Sequence, residues 1–140
     1  MTHKDVILLV EDSEDDVFLF RRALERSRCE ADLCHHRTVA AAIQYLESLT
    51  AEKRPLPRLT FVDLILPRVG GSELVTWIKQ SDAYQRIPVI VITGAVPPTA
   101  ASQLARFGAT AVMVKPSNLE HLVDAIHAAC IFWLKYSVRP

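Results

Sequence analysis

Apolar residues in this chain gather into five short runs, separated by amphipathic or polar stretches. Val6-Ile7-Leu8-Leu9-Val10 is apolar throughout, and Leu59-Thr60-Phe61-Val62-Asp63-Leu64-Ile65-Leu66 is nearly so, with one carboxylate inside it and Pro67 at its end. Ile87-Pro88-Val89-Ile90-Val91-Ile92-Thr93 and Ala111-Val112-Met113-Val114 are two more such runs. Near-continuous apolar runs of this length predict strands covered on both faces. Residues 29–37 are weaker: Ala31, Leu33 and His35 alternate with polar neighbours, which predicts a strand nearer a sheet edge.

The intervening stretches carry helical spacing. Ser13, with Asp16 three residues on, resembles a capping box; Val17, Phe20, Leu24 and Ser27 follow on one face, with Arg21, Arg22 and Arg26 on the other. Thr38 is placed to cap a second helix with the stripe Val39, Ala42, Ile43, Leu46 and Leu49. Residues 50–58, with Pro55 and Pro57, predict a loop. After a Gly70-Gly71 turn, Ser72 opens a helix with Leu74, Val75, Ile78 and Trp77 inward. Residues 96–99 (Val96-Pro97-Pro98-Thr99) lead as a loop into a short Ala-rich helix ending near Gly108. Ser117 and Glu120 read as a capping box for a last helix to about Leu134, inward at Leu119, Leu122, Val123, Ile126, Ala129, Cys130 and Trp133. Strand and helix alternate five times, which predicts an α/β fold with a parallel sheet between two helical layers.

Composition narrows the function classes. At 140 residues the expectation is one domain, with a core over about residues 4–134 and a polar tail over 135–140. Half the residues are apolar and 23% are charged, enough for a core and too few charges for disorder. Sixteen basic and sixteen acidic residues balance, so no net field draws the chain to nucleic acid or an anionic membrane. No apolar run approaches the ~18 residues of a membrane span, and no signal peptide is recognisable. Cys29, Cys34 and Cys130 form no C-x-x-C spacing, and reduced thiols in a cytoplasmic protein are expected.

The chemistry lies where strands end. In a doubly wound sheet, ligands bind outside the carboxyl ends of the strands. There this chain places Glu11 and Asp12, then Asp63, then Thr93-Gly94, then Lys115-Pro116. Acids packed together repel one another unless a hard cation neutralises them, and an oxygen-only set with an open position suits Mg²⁺. Such a metal can offset the charge of a phosphate oxygen. Asp63 would then be a nucleophile toward a phosphoryl group, with Lys115 and the Thr93 hydroxyl holding phosphate oxygens.

Four segments together carry a resemblance: Val6-Ile7-Leu8-Leu9-Val10-Glu11-Asp12, Val62-Asp63-Leu64-Ile65-Leu66-Pro67, Ile87-Pro88-Val89-Ile90-Val91-Ile92-Thr93-Gly94 and Val114-Lys115-Pro116. They span nearly the whole chain in the order and at the separations of a response-regulator receiver domain. That resemblance implies a flavodoxin-like (βα)5 sheet with strand order 2-1-3-4-5. It implies Asp63 as phosphoacceptor, and Mg²⁺ bound by Asp12, Asp63 and the backbone carbonyl of Ile65, with Glu11 acting largely through metal-bound water. Thr93 is then the switch hydroxyl, Gly94 its neighbour and Lys115 the phosphate partner; the Lys115-Pro116 bond is often cis in the family. The Pro-containing loop before the third strand and Ile131-Phe132-Trp133-Leu134 resemble, more narrowly, the small regulators that serve bacterial phytochromes. The partner so implied is a sensor histidine kinase, of the phytochrome type on the narrower match.

Three positions depart from the usual receiver pattern. Ile65 stands where many receivers carry a polar residue that orients a water, so a longer-lived phospho-form is expected. Val112 stands where an aromatic rotamer switch is usual, leaving the Thr93 loop and the Phe107 side to relay the signal. Gly70-Gly71 replaces Asp-Gly, a change expected to affect only the turn. Outside this set, Glu14, Asp15 and Asp16 read as a solvated helix start favoured by the helix dipole. His35-His36 read as strand-edge residues without a third ligand, and Arg21-Arg22 and Lys53-Arg54 as solvated faces. Four successive bulky residues, Ile131 to Leu134, cannot all face inward from one helix, so a homodimer through this region is expected.

The function expected is a stand-alone phosphoacceptor switch that turns over no external substrate, or alternatively an intermediate passing phosphate onward to a histidine phosphotransfer protein. An Asp-nucleophile phosphohydrolase would want a second acid at Ile65. A flavodoxin-type electron carrier would want a Ser/Thr/Gly-rich loop where residues 11–16 carry five acids.

Overall fold

In a computed structural model that describes residues 4–94 and 98–136, the five apolar runs are five parallel strands. In chain order the elements are β1 (Asp5–Val10), α1 (Glu14–Arg26), β2 (Ala31–His36), α2 (Val39–Ala51), β3 (Leu59–Asp63), α3 (Gly71–Gln80), β4 (Val89–Thr93), α4 (Pro98–Arg106), β5 (Ala111–Val114) and α5 (Leu119–Cys130), with a π-helical extension over Ile131–Tyr136. The strands lie in the order β2-β1-β3-β4-β5, so β3 is central, as the resemblance implies. Val10 is paired with His36 on one side and Val62 on the other, and Asp63 with Ile92; this register brings the carboxyl ends of β1, β3 and β4 to one rim.

Alternation along the strands divides the core in two. Leu8, Val10, Val62, Val89 and Val91 face α2, α3 and α4. Ile7, Leu9, Leu59, Phe61, Ile90 and Ile92 face α1 and α5, where Phe20 packs edge-on to Phe61 at 5.0 Å between centroids. Asp63 therefore belongs to the α1–α5 side. The predicted helix faces hold: Val17, Phe20 and Leu24 are buried on α1, and Val39, Ala42, Leu46 and Leu49 on α2. Ser13 Oγ accepts from the Asp16 N–H at 3.3 Å and Thr38 Oγ1 from the Ala41 N–H at 3.1 Å.

Several expectations are corrected. The α5 cap is Asn118, whose Oδ1 accepts from the His121 N–H at 2.9 Å, instead of the Ser117–Glu120 box; either side chain is a competent cap, and the extended backbone falls at Asn118. The α3 helix begins at Gly71 after Gly70, with no side-chain cap from Ser72. Gly71 does more than turn the chain: a Cβ there would lie 2.1 Å from the Asp63 carbonyl oxygen, so only glycine lets α3 start against the end of β3. The last helix passes Leu134 and continues to Tyr136. No peptide bond among the described residues is cis, so Lys115-Pro116 is trans. The predicted loop residues Val96 and Pro97, and the tail beyond Tyr136, lie outside the described residues.

The expectation of three reduced thiols is also corrected. Cys29 and Cys130 form a disulfide across 101 residues of chain, with Cα atoms 6.2 Å apart, and Cys34 is free. Their spacing carries no signature because the pair is made by packing: α1 and α5 run side by side on one sheet face and bring their carboxyl ends together. Among the described residues no helix is long and apolar enough to cross a membrane.

Candidate phosphoacceptor site

Strand ends and one helix start build the site. Glu11 follows β1 directly; its N–H donates to the His36 carbonyl at 3.0 Å, continuing the ladder one residue beyond the strand. Asp12 and Ser13 then turn the chain into α1, and the Ser13 N–H donates to Glu11 Oε1 at 3.1 Å. Asp63 ends β3, only 8% exposed, and its Oδ1 accepts from the Ile65 N–H at 3.1 Å. One oxygen each from Glu11, Asp12 and Asp63 lies within 4.8 Å of the others. Glu11 and Asp63 are buried and Asp12 is half-buried.

Lys115, one residue past β5, reaches back into this cluster. Its Nζ is 3.0 Å from Asp63 Oδ2, 3.2 Å from Glu11 Oε2 and 2.6 Å from Asp16 Oδ2. Its main chain is held as well, since the Lys115 N–H donates to the Thr93 carbonyl at 2.7 Å. Burial alone would lower the ammonium pKa. The bonds to Asp16 and Asp63 and the Glu11 charge outweigh that and hold it above its ordinary value. Glu11 moves the other way for an acid: burial raises it from 4.5 to about 7, with the Asp63 charge adding and the Ser13 N–H and Lys115 opposing. The reluctance of this carboxyl group to ionise comes chiefly from its withdrawal from water.

Three oxygen donors of this kind, clustered and partly withdrawn from water, fit a hard divalent cation. They offer no thiolate or imidazole that would select a softer metal. Glu11, Asp12 and Asp63 would hold it.

The other predicted residues are placed as follows. Thr93 ends β4 and is buried, but alternation with Val89 and Val91 assigns its side chain to the sheet face opposite Asp63. Gly94 follows it, exposed. Ile65 is 75% exposed beside Asp63, an apolar side chain at the rim where a hydrolase would carry its second acid. Val112 packs partly buried against the α3–α4 core. His35 donates from Nε2 to the Glu11 carbonyl at 2.7 Å, and the His36 ring lies 4.9 Å from Tyr45, so both are structural. Arg37 donates to the Asp12 carbonyl at 3.3 Å and lies 3.2 Å from Glu14. Of the Ile131-Phe132-Trp133-Leu134 run, Ile131 and Phe132 are exposed while Trp133 and Leu134 pack partly buried on the chain's own core. Asp16 is the participant that the sequence does not single out. Its helix-start position explains its charge without reference to Lys115, and nothing in the spacing links residues 16 and 115.

Residues 7–127 match the family described as the response regulator receiver domain. The chain belongs to that family. This receiver is 32% identical over 136 residues to Response regulator Rcp1 of Synechocystis, covering 96% of this chain and 92% of the relative. A crystal structure of Rcp1 in its Mn²⁺-bound form superposes with a TM-score of 0.82 over 97% of this chain and 99% of that one. This receiver is also 31% identical to the probable methanogenesis regulatory protein FilR2 of Methanothrix harundinacea, over 96% of this chain and 87% of that protein. The phosphorylated cyanobacterial phytochrome response regulator RcpA superposes with a TM-score of 0.85 at 28% identity, covering 99% of each chain. The receiver's acidic cluster and lysine thus sit on a scaffold shared with metal-bound and phosphorylated relatives.

Proposed function

We propose that this receiver is a phosphoacceptor switch of a two-component phosphorelay, taking a phosphoryl group on Asp63 from a sensor histidine kinase. The observation that carries the proposal is Asp63 itself: a nearly buried carboxylate at the end of the central strand, with Lys115 on one oxygen and two further acids beside it. In the transfer, a carboxylate oxygen of Asp63 bonds to phosphorus as the phosphorus–nitrogen bond to the donor imidazole breaks, leaving an acyl phosphate and a free histidine. Lys115 holds a phosphoryl oxygen, and the Ile65 N–H keeps the carboxylate oriented. Glu11, Asp12 and Asp63, with the Ile65 carbonyl, would hold Mg²⁺. When bound, that ion offsets charge on the transferring phosphoryl group. Thr93 and Gly94, at the end of β4, would supply the remaining phosphate contacts.

The kinase we assign is of the phytochrome type, supported by the likeness to RcpA and by the exposed Ile131 and Phe132 beyond α5. Those two side chains would meet their counterparts in a homodimer, whose rearrangement would be the output. We take residues 1–140 as one receiver unit, with its core over about residues 4–134, acting in the cytoplasm with no external substrate and no nucleic-acid or membrane partner.

Incubation with acetyl phosphate and Mg²⁺, followed by intact mass, tests the assignment. The expected result is a gain of about one phosphoryl group that is lost in Asp63→Asn. No gain in the wild type, or a gain that survives the substitution, overturns it.

A further inference from the structure

We propose that Asp16 is a positioning residue of the site: its carboxylate holds Lys115 and so limits how far that lysine competes with a divalent cation for Glu11 and Asp63. The proposal rests on the phosphoacceptor assignment and deepens it.

An ammonium has three N–H donors and no acceptor. Lys115 faces three carboxylates, so a full set of partners is already present: Asp16 at 2.6 Å, Asp63 at 3.0 Å and Glu11 at 3.2 Å. Two of these three are also two of the three clustered oxygen donors. The third belongs to neither the strand ends nor the cation set. Asp16 comes from the first turn of α1, where its own N–H is fixed to the cap at Ser13 Oγ and the helix dipole favours its charge. Its side chain is 39% exposed, against 9% for Asp63 and 5% for Glu11. The lysine thus bridges a buried pair of acids and an outer one.

The setting strengthens the outer contact. Asp16, Lys115 and Glu11 border a cleft of about 60 Å³ whose walls are Leu9, Phe20 and Leu122. Apolar walls lower the local dielectric and make the ion pair worth more than one in open water. An arriving cation must loosen the lysine from Glu11 and Asp63, and Asp16 is the partner that keeps it close while it does so. Without Asp16 the lysine has only the cation's own ligands to bind. Loss of Asp16 therefore weakens cation binding through Lys115, beyond the loss of one negative charge. Asp15 is the natural comparison: it is exposed, adjacent in sequence and of equal charge.

A double-mutant cycle reads this directly. Mg²⁺ or Mn²⁺ alone is titrated calorimetrically into the wild type, Asp16→Asn, Lys115→Met and the double variant, with Asp15→Asn and Asp16→Glu alongside. Thermal melts of each variant check folding. Asp16→Asn is expected to weaken the cation by about fivefold in the wild type and by less than about twofold in the Lys115→Met background. Asp15→Asn is expected to resemble the smaller effect, and Asp16→Glu to stay within about twofold of the wild type. Equal losses in the two backgrounds, or equal losses for Asp15→Asn and Asp16→Asn, overturn the proposal. Acetyl phosphate labelling of the wild type is run in parallel. Its failure would overturn the phosphoacceptor assignment, whereas the cation cycle reports on Asp16 separately.

Discussion

At the amino end of the strands, Cys29 is bonded to Cys130, and the buried Arg58 guanidinium lies 3.6 Å from Asp5 and donates to the Trp133 carbonyl. At the carboxyl end of the same strands, Glu11, Asp12, Asp16 and Asp63 surround a single lysine. One end joins α1, β1, β3 and α5 with bonds that match charge and valence. The other buries Glu11 beside a second carboxylate: withdrawal from water raises its pKa to about 7, and the Asp63 charge adds to the rise. The contrast locates where this receiver keeps its unfavourable electrostatics. Like charges at the rim are tolerated because the far end and the two apolar layers hold the elements in place without them, and the imbalance leaves the rim short of positive charge.

The largest effect is expected at the matched end. Arg58→Ala leaves Asp5, whose side chain is 17% exposed, without its guanidinium, and also frees the Trp133 carbonyl. The expected loss is about 3 kcal/mol in a urea titration. A loss below about 1 kcal/mol would show that this end is not what holds the sheet. Next is the disulfide, which closes a loop of 101 residues. Reduction, or Cys29→Ala, is expected to lower stability by roughly 2–4 kcal/mol. In a reducing cytoplasm the bond would be open to thiol exchange, so titration against a glutathione couple gives the redox range over which it contributes.

At the rim the expected effects on stability are smaller and of opposite sign. Ile65→Asn should shorten the lifetime of the phospho-form by roughly tenfold, because an amide there can orient the attacking water and the exposed isoleucine cannot. An unchanged dephosphorylation rate would refute that role. Asp63→Asn should raise stability by about 1 kcal/mol in cation-free buffer, since it removes one of the repelling charges. The last effect is a slope of stability against pH. Folding raises the Glu11 pKa from 4.5 to about 7, so across that interval the native state binds more protons than the unfolded one. Stability contributed by this group is present below 4.5 and declines as pH rises toward 7. Glu11→Gln should flatten that decline in a series of melts without divalent cation.

Legibility followed the range of the interactions. Continuous apolar runs marked β1, β3 and β4, because a strand buried on both faces favours apolar side chains at nearly every position; β5 was marked by the same pattern although it lies at the sheet edge, half-buried and with Val114 exposed. Ser13 and Thr38 were legible as caps because a cap acts across three residues. Asn118 was missed because Ser117 beside it satisfies the same local rule. The demand for glycine at position 71 was read only as a turn, since its reason is the Asp63 carbonyl that packs against it. Among the site residues, Glu11, Asp12, Thr93 and Lys115 stood out because they end or closely follow an apolar run, and Asp63 because it is the one carboxylate inside such a run. Asp16 did not, because a helix start accounts for an acid equally well.

By itself the sequence determined the alternation of elements, the parallel sheet and which residues stand at the rim. These follow from periodicity and from the rule that strand ends converge. Only the tertiary structure decided which side chains share a partner. The Cys29–Cys130 bond, the Arg58–Asp5 pair and the Asp16–Lys115 contact each join segments far apart in the chain; the first is made by α1 packing beside α5, the second by the pairing of β1 with β3, and the third by the start of α1 meeting the end of β5. Local pattern carries no record of such pairs, because their geometry exists only once both layers have closed on the strands.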